Sequence, residues 1–213
     1  MIKAFLYDWY GVNASLFLWL NHAHAGWYDA IMLAGSMLGK YTIFPLYYAI
    51  ILFIAWTNYR QSRSQPSHVR ALKKSRWINV LVVLILAYAL SFAWVPALKE
   101  FFFFPRPFVV FSGHEMVQLM HDEMPYTSFP SGHTSFAMLM AAGLWPILGR
   151  YGRYAAVFYV LWVGVSRIAL GMHFPADVVW SMLLSFVAVW MVRRIVRDAS
   201  QILKLKRAPA NFE

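Results

Sequence analysis

The chain has 213 residues, 61% of them hydrophobic and 13% charged, with a formal net charge of +10 and no cysteine. Soluble globular domains carry about 25% charged residues, so this balance excludes an ordinary soluble domain and points to a membrane protein with short loops. No disulfide can form, and the positive charge lacks the aromatic-interleaved basic groove expected of a nucleic-acid binder.

Taken in chain order, Met1-Ile2-Lys3 opens without the pattern of a signal peptide, since Asp8 and Asn13 interrupt the apolar stretch that follows. Ala4 to Leu20 is apolar enough to span a bilayer, yet short and broken by Asp8, Gly11 and Asn13. It reads either as a spanning helix or as an amphipathic helix lying in the interface. Tyr41 to Thr57 is an uncharged run that extends back past Lys40 into a full span. Trp77 to Leu98 has 22 residues without a charge, where about 20 cross the hydrocarbon. Ser131 to Leu148, Tyr154 to Leu170 and Val178 to Val192 complete five expected spans. Trp27, Tyr28, Trp56, Tyr59, Trp77, Trp94 and Trp145 sit near the ends of these runs, as interfacial belts require. The expected fold is all-α: a membrane-embedded bundle of five or six transmembrane helices in one domain, 1–198, with a basic cytoplasmic tail, 199–213.

Basic residues orient the bundle. Arg60, Arg63, Arg70, Lys73, Lys74 and Arg76 fall in one loop, Arg150 and Arg153 in another, and Arg193, Arg194, Arg197, Lys204, Lys206 and Arg207 after the last span. These are 14 of the 19 Lys and Arg residues, all in alternate loops, which places those loops in the cytoplasm. The outward face, including the whole stretch up to Lys40, keeps Lys3, Lys40, Lys99, Arg106 and Arg167. Three of the five belong to polar clusters: Lys99 with Arg106-Pro107, then Pro130-Ser131-Gly132-His133, then Ser166-Arg167 with His173 and Asp177. Ionisable groups at membrane depth are costly and survive where they line a site. A face cleared of positive charge except at these clusters argues for a single site.

The clusters suit phosphate chemistry. Only 13 uncharged residues separate Arg153 from Arg167, about 20 Å of helix, against a hydrocarbon core of about 30 Å. Arg167 is therefore expected below the outer surface. Gly171 and Pro175 mark a turn holding His173, with Asp177 four residues on. That spacing lets the carboxylate reach one imidazole nitrogen and leaves the other free to attack; the alternative is a helix-capping Asp beside a turn histidine. Pro130-Ser131-Gly132-His133 opens a helix whose backbone N–H groups suit an anion, with the Ser131 hydroxyl as a further donor and His133 placed as an acid. Lys99 and Arg106 can clamp phosphoryl oxygens, or snorkel to the interface. Phe101 to Phe104 reads as an aromatic anchor that could also line the access path of a lipid chain. His114, Glu115, His121, Asp122 and Glu123 share the outer loop, but their spacing matches no familiar metal-ligand set.

Together, Lys99-x6-Arg106-Pro107, Pro130-Ser131-Gly132-His133 and Ser166-Arg167-x5-His173-x3-Asp177 resemble the tripartite signature of the type 2 phosphatidic acid phosphatase superfamily. That family includes bacterial undecaprenyl pyrophosphate, phosphatidylglycerophosphate and lipid A phosphatases and, more distantly, vanadium haloperoxidases. The resemblance implies a helical-bundle phosphatase that needs neither metal nor cofactor. By position, it implies His173 as the nucleophile forming a phosphohistidine, Asp177 as its orienting partner, and His133 as the acid for the leaving oxygen and later the base for water. Lys99, Arg106, Arg167, Ser131 and the Gly132 backbone would hold the phosphoryl oxygens. The expected partners are the bilayer and a lipid phosphate or pyrophosphate, foremost undecaprenyl pyrophosphate at the outer face of a bacterial plasma membrane. Phosphatidylglycerophosphate, phosphatidic acid and lipid A are the alternatives. An anionic-lipid transporter is the non-enzymatic alternative, disfavoured because no internal repeat is visible.

Overall fold

The computed structural model describes residues 4–111, 113–120 and 124–207. Its helices are α1 (Val12–Asn21), α2 (Gly26–Leu38), α3 (Phe44–Gln61), α4 (Ser67–Phe102), the short α5 (Pro107–Val110), α6 (Gly132–Leu144), α7 (Arg150–Ala169) and α8 (Pro175–Arg207), with no strand among the described residues. The protein is thus all-α, as its apolar runs and short loops require.

Among the described residues, three helical stretches are long and apolar enough to cross a membrane: Tyr41–Ser64, Ser67–Val110 and Pro175–Ile202. The two other expected spans, from Ser131 and from Tyr154, correspond to α6 and α7. The run from Ser131 yields only 13 helical residues in α6, about 20 Å, before Pro146 stops it. α6 lies inside the bundle, with Thr134, Phe136, Leu139 and Met140 all buried. α7 has 20 residues, but Arg150, Arg153 and Arg167 lower its hydropathy. The main core joins α3, α4, α6 and α8 through Phe44, Leu84, Phe136 and Val189. There the Phe44 and Tyr88 rings stack at 3.7 Å.

The N-terminal segment is not one continuous helix. Ala4–Asp8 makes a wide helical turn, and the chain then kinks through positive φ at Trp9, Tyr10 and Gly11 before α1 begins. Asn13, Phe17 and Asn21, spaced by four, form the buried face of α1. Asn21 donates to the carbonyls of Val117 (2.8 Å) and Ala169 (2.9 Å) and accepts from the Val117 N–H (2.8 Å). These bonds tie α1 to the outer loop and to the end of α7. The stretch before Lys40, expected as an outer loop, contains α2, which packs along α7.

At the opposite end of α6, Arg193 donates to the Ala142 carbonyl (2.6 Å) and Arg76 to that of Pro146. Cations at a helix C-terminus satisfy its last carbonyls and its dipole. The tail begins as a continuation of α8, helical to Arg207.

Candidate active site

Four local structures deliver the polar side chains to one end of the bundle. Arg167 occupies the last turn of α7 and is 3% exposed. Its Nη1 donates to Ser36 Oγ of α2 at 2.5 Å and lies 3.5 Å from the Met120 sulfur. The chain reverses through Gly171 at φ +75°, a left-handed conformation that glycine adopts without a Cβ penalty. The N–H groups of Met172 and His173 both donate to the Arg167 carbonyl, at 3.0 and 3.2 Å. His173 is thereby hung directly beneath Arg167.

Pro175 opens α8, as its fixed φ favours, and Asp177 follows two residues later. Asp177 Oδ2 accepts the Phe174 N–H at 2.8 Å and the Ser128 hydroxyl at 2.5 Å, while Oδ1 accepts the Tyr7 hydroxyl at 2.6 Å. His173 Nδ1 lies 3.6 Å from Oδ2, just beyond hydrogen-bond length. The carboxylate thus caps α8 through the Phe174 N–H and stands beside the imidazole without hydrogen-bonding it. Ser128 and Asp177 are fully buried, and His173 is 2% exposed.

The start of α6 is knitted to the start of α8. Ser181 Oγ accepts the Ser131 N–H (2.8 Å) and donates to the Asp177 carbonyl (2.5 Å). Ser131 Oγ accepts from Thr134 Oγ1 at 3.0 Å, so its own proton can be donated outward. Gly132 and His133 begin the helix. The buried His133 Nε2 and His173 Nδ1 make no hydrogen bond among the described residues.

Arg106 is 4% exposed and projects from the loop before α5. Its Nη1 donates to the Met172 carbonyl (3.0 Å), its Nε to that of Met124 (3.1 Å) and its Nη2 to Thr127 Oγ1 (3.3 Å). Lys99, in the last turn of α4, donates to the Thr127 carbonyl. Burial, then the positive charges of Arg106, Lys99 and Arg167, push the His173 ring well below the ordinary histidine range. A neutral imidazole close to several positive charges is chemically able to attack an anionic ester whose charge those cations offset.

Several residues of this network carry no sequence signal. Tyr7 and Ser128 hold Asp177, Ser36 holds Arg167, Ser181 bridges two helix starts, and Asn13 Oδ1 accepts the Ala176 N–H at 2.9 Å. Of the outer-loop residues, His121, Asp122 and Glu123 lie outside the described residues. His114 and Glu115 are exposed, and the Glu115 carbonyl bonds His22 Nε2 at 2.9 Å. No group of three or more potential metal ligands occurs among the described residues. An apolar cavity of about 340 Å³ between α6, α7 and α8 lies toward Arg193, at the other end of the bundle, and contains none of the site residues.

The chain is 45% identical over 78 residues to phosphatidylglycerophosphatase B of Escherichia coli, a match covering 32% of this chain and 30% of that protein. It is 27% identical over 177 residues to the undecaprenyl-diphosphatase BcrC of Bacillus subtilis, covering 79% of this chain and 74% of that one. Its fold superimposes on the crystal structure of Aquifex aeolicus LpxE with a TM-score of 0.67 at 28% identity, over 86% of this chain and 95% of that one. The model of the PAP2 superfamily matches residues 76–201, which span all three polar clusters and most of α4 through α8. With more than half of its length matched, the chain belongs to the PAP2 superfamily.

Proposed function

We propose that this protein is an integral membrane lipid phosphatase that works through a phosphohistidine on His173. The observation that carries this reading is the convergence, on one buried turn, of Arg106, Arg167, Asp177 and the His173 ring. In the proposed reaction, Lys99, Arg106 and Arg167, with the Ser131 hydroxyl and the N–H groups at the start of α6, take the non-bridging phosphoryl oxygens. His173 Nε2 attacks phosphorus while Nδ1 turns toward Asp177. The N–P bond forms as the P–O bond to the lipid breaks, and His133 gives the departing oxygen its proton. Water then attacks the phosphohistidine, losing a proton to His133. Inorganic phosphate leaves, and both imidazoles return to their starting states. Charge stabilisation on the transferring group supplies most of the catalysis in such a site.

The site is assigned to the non-cytoplasmic face. Arg76, Arg150, Arg153 and Arg193 crowd the far end of α6 and α7, where the positive-inside rule puts the cytoplasm. Undecaprenyl pyrophosphate is the foremost substrate, supported by the similarity to BcrC over 79% of this chain. Phosphatidylglycerophosphate, phosphatidic acid and lipid A are the competitors, the first favoured by the more local match to phosphatidylglycerophosphatase B. Phosphate release by purified protein from each lipid in mixed micelles tests the reading. Release from at least one, fastest from the diphosphate, is expected. No release from any of them by folded protein would overturn it.

A further inference from the structure

Among the described outward-facing basic residues, Lys40 alone has no part in the site above. Its position is nevertheless fixed against that site. Gly39 packs so closely on α6 that a Cβ there would stand 3.2 Å from His133 Cβ, 3.3 Å from the His133 carbonyl oxygen and 2.6 Å from Val163 Cγ1. On the other side, the Tyr41 ring lies 3.4 Å from where a Gly132 Cβ would be. Lys40 is therefore bracketed by two contacts with the segment proposed to cradle phosphate. Its backbone is held as well: its N–H donates to the Met37 carbonyl and its carbonyl accepts from the Ile43 N–H, both at 3.2 Å.

The Lys40 side chain is exposed and has no hydrogen-bond or ion-pair partner among the described residues. After burial, the influences on the His133 ring are the charges of Arg167, Lys40, Arg106 and Lys99. Arg106 and Arg167 are anchored around His173; Lys40 belongs to the His133 side. In the proposed reaction that side faces the leaving group. A lipid monophosphate releases a neutral alcohol there. A lipid diphosphate releases a lipid phosphate, which keeps its negative charge after taking the proton from His133. An exposed ammonium carried on the segment that packs against His133 complements the second leaving group and not the first.

We propose that Lys40 binds the lipid-proximal phosphate of a diphosphate substrate and so makes this site selective for lipid diphosphates over lipid monophosphates. The inference rests on the phosphatase reading and deepens it to a substrate class. The bond changes are those already given: the terminal phosphorus passes to His173 Nε2, and the bridging oxygen leaves with the electron pair and the His133 proton.

The test compares kcat/KM for a C15 prenyl diphosphate and the matching prenyl monophosphate in wild type, Lys40→Gln, Lys40→Arg and Lys40→Glu. Because Lys40 is exposed, these variants are expected to fold, and their melting curves check it. The diphosphate-to-monophosphate ratio should fall about tenfold in Lys40→Gln, fall further in Lys40→Glu, and be largely kept in Lys40→Arg. An unchanged ratio, or an equal loss on both substrates, would overturn the proposal while leaving the phosphatase reading intact. Wild-type protein that hydrolyses neither substrate would overturn both.

Discussion

Replacing Tyr7 with Phe removes one hydroxyl and leaves the ring packing of Tyr7 on Phe104 and Phe129 in place. The lost bond is a 2.6 Å O–H···O contact to the Asp177 carboxyl, in a pocket where Tyr7 is 8% exposed and Asp177 is fully buried. Hydrogen bonds to charged groups contribute about 1.5–3 kcal/mol, and about 1.4 kcal/mol is a factor of ten. Ser128 and the Phe174 N–H still hold Oδ2, so the lower end applies and Oδ1 alone is released. If Asp177 acts by orienting His173, Tyr7→Phe should lower kcat about tenfold with KM changed less than twofold. The assay is steady-state phosphate release, repeated with Asp177→Asn and the double variant. In the Asp177→Asn background the Tyr7→Phe change should cost almost nothing, because the carboxylate it served is gone. Ser128→Ala should lower kcat similarly, with Ser128→Thr restoring it. Wild-type kcat in Tyr7→Phe, or losses that simply add in the double variant, would refute the positioning role.

Asn21→Leu strips α1 of three hydrogen bonds and leaves the partly buried Val117 N–H without its partner; thermal melting in detergent should show a loss of about 1–3 kcal/mol. A variant as stable as wild type would show that α1 is held by its apolar face alone. Burial and the surrounding cations depress the His173 pKa, so its ring should stay neutral as pH falls through 6.5 and protonate only well below it. Histidine-selective NMR checks this, and protonation at 6.5 or above would contradict it. Because the proposed site stabilises phosphoryl charge with Lys and Arg, chelators should leave turnover unchanged; a loss restored by added magnesium or zinc would contradict that.

Much of the site is legible in local sequence. Arg167 follows Arg153 by 13 uncharged residues, a count that puts it inside the bundle, and it is 3% exposed there. The turn at Gly171 and Pro175 is readable because each residue has a backbone reason to be there. What escapes is every contact made across the chain. Tyr7 meets Asp177 over 170 residues and Ser36 meets Arg167 over 131, and an isolated hydroxyl in an apolar run gives no periodic or charge signal. α2 escapes because its 13 residues are too few for a span and its inward face is small, with Gly35 and Ser36 buried against its neighbours. α6 shows the same limit from another side. Its run reads as a span by composition, while the burial of Phe136 and Leu139 by neighbouring helices carries no signal in the sequence. Periodicity reports how apolar a segment is; whether lipid or protein covers it is settled by packing.

The central claim is that the imidazole suspended below Arg167 becomes the transient carrier of phosphorus. Rapid quenching of turnover on a substrate radiolabelled in its terminal phosphate, followed by peptide mapping, measures this directly. An acid-labile, base-stable label on His173, absent from His173→Ala, is expected. Full turnover with the label on His133, or substantial activity in His173→Ala, would contradict it.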